Sequence, residues 1–110
     1  MSTRPDTIEF LLDQLGRPPH VRTRRMFGEY CIYLHDKPTA FVCDDQLFVK
    51  ITDVGQALLA APRFGAPYPG AKDYFLLAPD DWEDAGALRT LMNATAEALL
   101  PPKPKARKAS

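Results

Sequence analysis

A chain of 110 residues, 45% hydrophobic and 25% charged, is long enough for one self-supporting core and too short for two. No apolar run approaches the roughly 20 residues that cross a bilayer. The start MSTRPDTIEF also lacks the basic-then-apolar order of a secretion signal, so a cytoplasmic address is expected and a membrane partner is not. The formal charge of zero hides a division: residues 101–110 carry Lys103, Lys105, Arg107 and Lys108 and no acid, leaving ten basic against fourteen acidic residues in the body. A body of that sign does not attract a polyanion in bulk, so a nucleic-acid role would need a local patch or the tail.

The first helix is expected from Asp6, an N-cap with Glu9 three residues on. Ile8, Leu11, Leu12 and Leu15 form its apolar stripe, and Gly16 and Pro18–Pro19 stop it. Four strands follow as a meander: Val21–Phe27, a two-residue turn at Gly28–Glu29, Tyr30–His35, a loop around Asp36–Lys37–Pro38, Thr39–Cys43, a tight turn at Asp44–Asp45, and Gln46–Ile51.

Asp53 opens a second helix with Gln56 completing its capping box; Val54, Ala57, Leu58 and Ala61 are its stripe and Pro62 its end. Residues 63–72 (RFGAPYPGAK) read as a mobile Pro/Gly loop, 73–78 as a further strand. A third helix is expected from Asp80, capped with Glu83 and striped by Leu88, Leu91, Met92, Thr95 and Leu99. The pattern predicts a two-layer α+β domain over 1–100, an antiparallel sheet against helices in the order α-β-β-β-β-α-β-α, and a disordered basic tail over 101–110.

Alternation divides the sheet into two faces. Tyr30, Ile32, Leu34, Ala40, Val42, Leu47, Val49 and Ile51 share the face that helices should cover. Arg22, Arg24, Met26, Cys31, Tyr33, Phe41, Cys43, Phe48 and Lys50 share the other, which is too aromatic for a solvated surface. In this register Arg25 points toward the helices; a bulge near Gly28 would move the first strand to the opposite side.

The chemistry-bearing residues are sparse. His20 and His35 lie beside turns with no Ser/His/Asp order, phosphate-cradling loop or metal spacing, so neither an enzyme, a cofactor nor a metal is expected. With a three-residue second loop, Cys31 would lie opposite Cys43, a candidate thiol pair for reversible oxidation; the alternative is two buried, reduced thiols. Arg22, Arg24 and Lys50 beside Tyr33, Phe41 and Phe48 are candidate elements of a surface for single-stranded nucleic acid. The same face, left uncovered, would instead bind another protein or a second copy of the chain; cover by the third helix or by residues 63–72 is the competing outcome. The loop carrying Arg63, Phe64 and Tyr68 is read as a packed connection in preference to a second contact surface.

The run Arg25-Met26-Phe27-Gly28, followed by Tyr30 and Tyr33, resembles the R-K-M-F-G-G-Y-G-x-Y pattern of the TfoX/Sxy family, bacterial regulators of natural competence, in their N-terminal domain. Leu47–Lys50, the Phe64-to-Tyr68 loop, Tyr74 with Pro79, and the alanine-rich last helix extend the resemblance over residues 6–100. Glu29 and Cys31 stand where the family often has glycine, and the chain is expected to be the stand-alone domain without the C-terminal one. The resemblance implies a two-layer α/β fold and a regulatory, non-enzymatic role in transcription or competence, and it carries no catalytic residues. A protein-interaction domain is therefore the expected function, with a nucleic-acid adaptor as the alternative.

Overall fold

A computed structural model describes residues 3–26 and 29–99. It shows an α+β fold: a six-stranded antiparallel sheet in the spatial order β1-β2-β3-β4-β6-β5, with helices on one side. The elements are α1 (Pro5–Leu15), β1 (Val21–Met26), β2 (Glu29–Leu34), β3 (Lys37–Cys43), β4 (Gln46–Val49), α2 (Asp53–Leu58), β5 (Phe64–Gly65), β6 (Tyr74–Leu77), a 3-10 turn (Pro79–Trp82) and α3 (Ala85–Ala98). The expected order of helices and strands holds, with the very short β5 added. Phe27, Gly28 and the tail 101–110 lie outside the described residues.

The meander keeps the expected faces because its register slips only once. β1 pairs with β2 without interruption from Val21↔Leu34 to Met26↔Glu29, so Glu29 is a strand residue and not part of the turn. The second connection is tighter than expected. His35 and Asp36 make the turn with φ of 52° and 64°, the paired positive values of a type I′ hairpin, and Lys37 and Pro38 belong to β3. Pro38 is tolerated there because the pairing jumps from Tyr33↔Pro38 to Ile32↔Ala40, a bulge beside Thr39. Asp44–Asp45 is a second turn of the same kind, with φ of 53° and 60°.

One face of this sheet carries the main core. Ile32, Leu34, Ala40, Val42, Leu47, Val49, Phe75 and Leu77 meet Ile8, Leu11 and Leu15 of α1 and Leu88, Leu91, Met92 and Ala96 of α3. α3 packs against β2 and β3, while β1 is the outermost strand, so Arg22–Arg25 are exposed and Arg25 needs no partner under the helices. Ile51 falls beyond the end of β4 and is exposed, contrary to expectation. Trp82 closes one end of the core, its indole N–H donating to the Leu77 carbonyl at 3.1 Å.

Helix ends differ most from the capping boxes expected. α1 starts at Pro5, and its N-cap Arg4 offers no side-chain cap. The cap comes from the β3–β4 turn instead: Asp45 Oδ1 accepts the Arg4 N–H at 2.9 Å and the Thr7 hydroxyl at 2.8 Å. Those bonds, the backbone one first, hold the Asp45 carboxyl below its ordinary pKa. A depressed folded pKa contributes stability that is full above the unfolded value of about 3.9 and is lost as pH falls through the folded one. Asp45→Asn is thus expected to lower unfolding free energy by about 0.5–1 kcal/mol at pH 7. In urea titrations the two proteins should converge as pH falls below the depressed folded pKa, where wild type has lost the charge too.

α2 is capped by the Thr52 hydroxyl, which accepts the Gly55 N–H at 3.0 Å, one residue before the Asp53 expected. Its predicted stripe is exposed; the buried residue is Gly55, where an added Cβ would lie 2.8 Å from the Phe75 ring. The helix approaches the sheet through an absent side chain, which hydrophobic periodicity does not register. The third helix begins later than Asp80. Asp81 caps the 3-10 turn by accepting the Ala78 N–H at 2.9 Å, and Asp84 caps α3 by accepting the Ala87 N–H at 3.0 Å. Its stripe is as expected for Leu88, Leu91, Met92 and Thr95, with Leu99 half-buried.

Candidate interaction groove

The second face is built from side chains that alternate away from the helices. Cross-strand pairing lines up Arg24, Cys31, Phe41, Phe48 and Leu76 from β1 to β6, and Arg22 beside Tyr33 in the next row. The expected candidate residues therefore do share one face. They do not form one open surface. Phe48 is only 5% exposed and joins Cys43 and Tyr74 in a small second core, with Phe41 and Leu76 packed on it. Phe41 meets the Tyr74 ring edge-on at 5.5 Å, and Gly65 of β5 lies against Phe48 and Leu76. Residues 63–72 supply this cover, and their β5 pairing with β6 replaces the free loop that their composition suggested.

The cations occupy the flank. Arg22 pairs with Asp36 at 2.6 Å and lies 5.8 Å above the Tyr33 ring. Lys50 is half-buried, and burial, with a smaller contribution from Lys72, lowers its pKa. With Phe48 sealed and Phe41 engaged edge-on, the row lacks the exposed ring faces on which bases stack.

Cys31 and Cys43 are both free and buried, and they do not face each other. The two-residue turn and the bulge put Cys31 opposite Phe41, so the expected placement directly opposite Cys43 does not hold and the thiols are offset by one pair on the same face. Burial raises both pKa values; at Cys43, where Glu29 and Asp44 add their negative charge, the thiol reaches about 11. Little thiolate exists near neutrality, and these cysteines act as apolar packing. His20 and His35 stack on each other with ring centroids 4.2 Å apart. Among the described residues His20 Nε2 has no hydrogen-bond partner, and no three His, Cys, Asp or Glu side chains gather as metal ligands do.

The concave feature of this face lies where the cover stops. A groove of about 610 Å³ runs between the sheet, represented by Met26, Phe41 and Cys43, and a wall formed by Pro67, Tyr68 and Pro69. Glu29 and Asp44 also line it, held together by the Asp44 N–H donating to Glu29 Oε1 at 3.2 Å, with the buried Thr3 hydroxyl 2.6 Å from the same oxygen. Tyr68 is 56% exposed, against the expectation that it plugs the core edge, while Phe64, 47% exposed, still leans on Phe75 at 5.6 Å. Sequence reasoning placed Phe41 on this face but missed the Pro-Tyr-Pro wall and the paired acids. The P-Y-P run was the available signal, since two prolines hold a tyrosine between restricted backbones.

The family profile described as the TfoX N-terminal domain matches residues 12–99 of the chain. A protein of Spirochaeta aurantia, described as an uncharacterized 12.7 kDa protein in the trpE 5′ region, is 43% identical over 105 residues, covering 96% of this chain and 90% of that one. No solved structure matches the chain.

Proposed function

The chain belongs to the TfoX N-terminal domain family, and from that membership we propose a non-enzymatic regulatory domain that works by binding another protein. The observation that supports this most is the groove: apolar and aromatic in its middle, edged by two carboxylates, and bounded by an exposed tyrosine. Concavity, an aromatic anchor and a polar margin are the ingredients of a contact surface for a protein segment. A role in competence or transcriptional regulation is proposed from the family alone. A cytoplasmic address fits that role, and among the described residues no helix is long and apolar enough to cross a membrane.

Tyr68→Glu is the direct test, because an exposed side chain can change without disturbing the core. In capture experiments from the native host, the variant is expected to lose at least about 90% of any partner retained by wild type, as a central aromatic contact worth about 2 kcal/mol would require. Its urea midpoint should stay unchanged. Identical partners on both baits would remove the groove from the mechanism; a shift in apparent mass with concentration that Tyr68→Glu abolishes would identify the partner as a second copy.

A nucleic-acid adaptor is the second reading. It is favoured by Lys50 and Lys72, whose mutual repulsion contributes to the lowered Lys50 pKa, and by Arg24, whose charge reaches Cys31 together with that of Lys50. Such binding would be electrostatic and would weaken steeply with salt. Labelled oligonucleotides titrated at low salt test it, and no change on adding the chain would dismiss it.

A further inference from the structure

The sheet ends on one side at β1, six residues long, and on the other at β5, which has two. Residues of an antiparallel pair bond across the gap at every second position and turn their backbone groups away at the others. The His35 N–H donates to the His20 carbonyl at 2.9 Å, and the β1–β2 register continues that pair without a slip to Met26↔Glu29. Arg22, Arg24 and Met26 therefore bond to β2, while Val21, Thr23 and Arg25 turn their N–H and C=O groups to the open edge. The Val21 N–H donates to the Pro18 carbonyl at 3.0 Å; among the described residues the N–H groups of Thr23 and Arg25 meet no acceptor.

Side chains decide what can fill that edge. Residues from Arg22 to Arg25 are exposed, and among the described residues Arg24 and Arg25 form no ion pair. A second copy added antiparallel about Thr23 would set Arg22 of each chain opposite Arg24 of the other, a like-charge contact that opposes pairing. An acidic strand reverses the sign. Its carboxylates, opposite Arg22 and Arg24, would fall at the non-bonded positions, where facing side chains come closest. The residues between them would exchange backbone bonds with Thr23 and Arg25. Arg22 already holds Asp36, so Arg24 and Arg25 carry most of the attraction. We propose that the open edge of β1 takes an extended acidic segment of another protein as a further antiparallel strand, with backbone bonds at Thr23 and Arg25 and carboxylates beside Arg22 and Arg24. This surface goes beyond the groove and does not depend on it.

The probe is a short synthetic peptide alternating glutamate with valine, added to the full chain at low salt. Amide hydrogen exchange at Thr23 and Arg25 is expected to slow at least about tenfold in its presence, the scale of one added backbone bond. Arg22 and Arg24, already bonded to β2, should change less. Arg24→Glu with Arg25→Glu should raise the peptide Kd at least about tenfold, with an unchanged urea midpoint because both side chains are exposed. Arg24→Gln with Arg25→Gln is the milder pair and should weaken binding in the same direction. A peptide with N-methylated valines keeps its charge and loses the ladder, so it should neither bind comparably nor protect Thr23 and Arg25. Equal binding by that peptide would reduce the edge to attraction for any polyanion and overturn the proposal. Failure of both peptides to bind at millimolar concentration would overturn it too, leaving the arginines as a guard against strand addition. Protection of these amides that rises with protein concentration alone would assign the edge to a second copy and overturn the acidic partner. Tyr68→Glu should bind the peptide as wild type does, so failure at the edge leaves the groove reading standing.

Discussion

Phe48→Asp is expected to abolish cooperative folding, whereas Phe48→Leu should retain a sharp urea transition. The ring is 5% exposed and enclosed by Cys43, Tyr74, Phe41 and Leu76, and a Cβ added at nearby Gly65 would touch it at 3.5 Å. Removing it forfeits about 3–5 kcal/mol of burial and packing, and the short carboxylate put in its place is cut off from water. Together these meet or exceed the stability of a typical small domain, about 5–15 kcal/mol. Near-ultraviolet circular dichroism and urea unfolding would show the loss. A Phe48→Asp chain that unfolds with a wild-type midpoint would mean that this face is open after all. The contrast with Tyr68→Glu, expected to be silent in stability, separates the part of the second face that holds the fold from the part left for contacts.

That separation marks the limit of what could be read from the residues in order. The meander and the division into faces follow from period-two alternation, whereas the pairing of β2 with β3 does not, since the two-residue turn and the bulge beside Thr39 set Cys31 opposite Phe41 and not Cys43. The faces were legible because Ile32, Leu34, Ala40, Val42, Leu47 and Val49 alternate along three successive strands. What was not legible depends on contacts distant in sequence. Asp45 caps a helix 41 residues before it, Gly55 is buried because Phe75 needs the space, and residues 63–72 cover Phe48 through a two-residue strand too short to carry a periodic signal. The groove belongs to this second group: Met26, Phe41 and Tyr68 come from three separate segments, and only the folded chain brings them together.

Phe75→Ala should produce the second large effect, a loss of about 3–5 kcal/mol measured as a lower urea midpoint. Phe75 is fully buried on β6, paired with Val49 on one side and Phe64 on the other. Its ring also meets the backbone of α2 at Gly55. The vacancy cannot easily close, because α2 already stands at close approach to the ring at Gly55. Hydrogen exchange should therefore quicken in α2 and β5 before it does in β2 and β3. Uniform quickening across the sheet would show instead that Phe75 serves the whole core equally.

The two ends of the chain's helical layer are tied to elements made at very different times. α1 receives its cap from Asp45, and its Gln14 carbonyl accepts from Arg89 of α3 at 2.7 Å while the Gln14 amide donates to the Trp82 carbonyl. α3 in turn has its terminal carbonyls of Ala96 and Leu99 held by the Lys37 ammonium from the far end of the meander. During synthesis, then, the first helix to leave the ribosome completes its packing last: its cap arrives with Asp45, but its helical neighbour only when residues 85–98 emerge, and a nascent chain stalled before them leaves the stripe of Ile8, Leu11 and Leu15 incompletely covered.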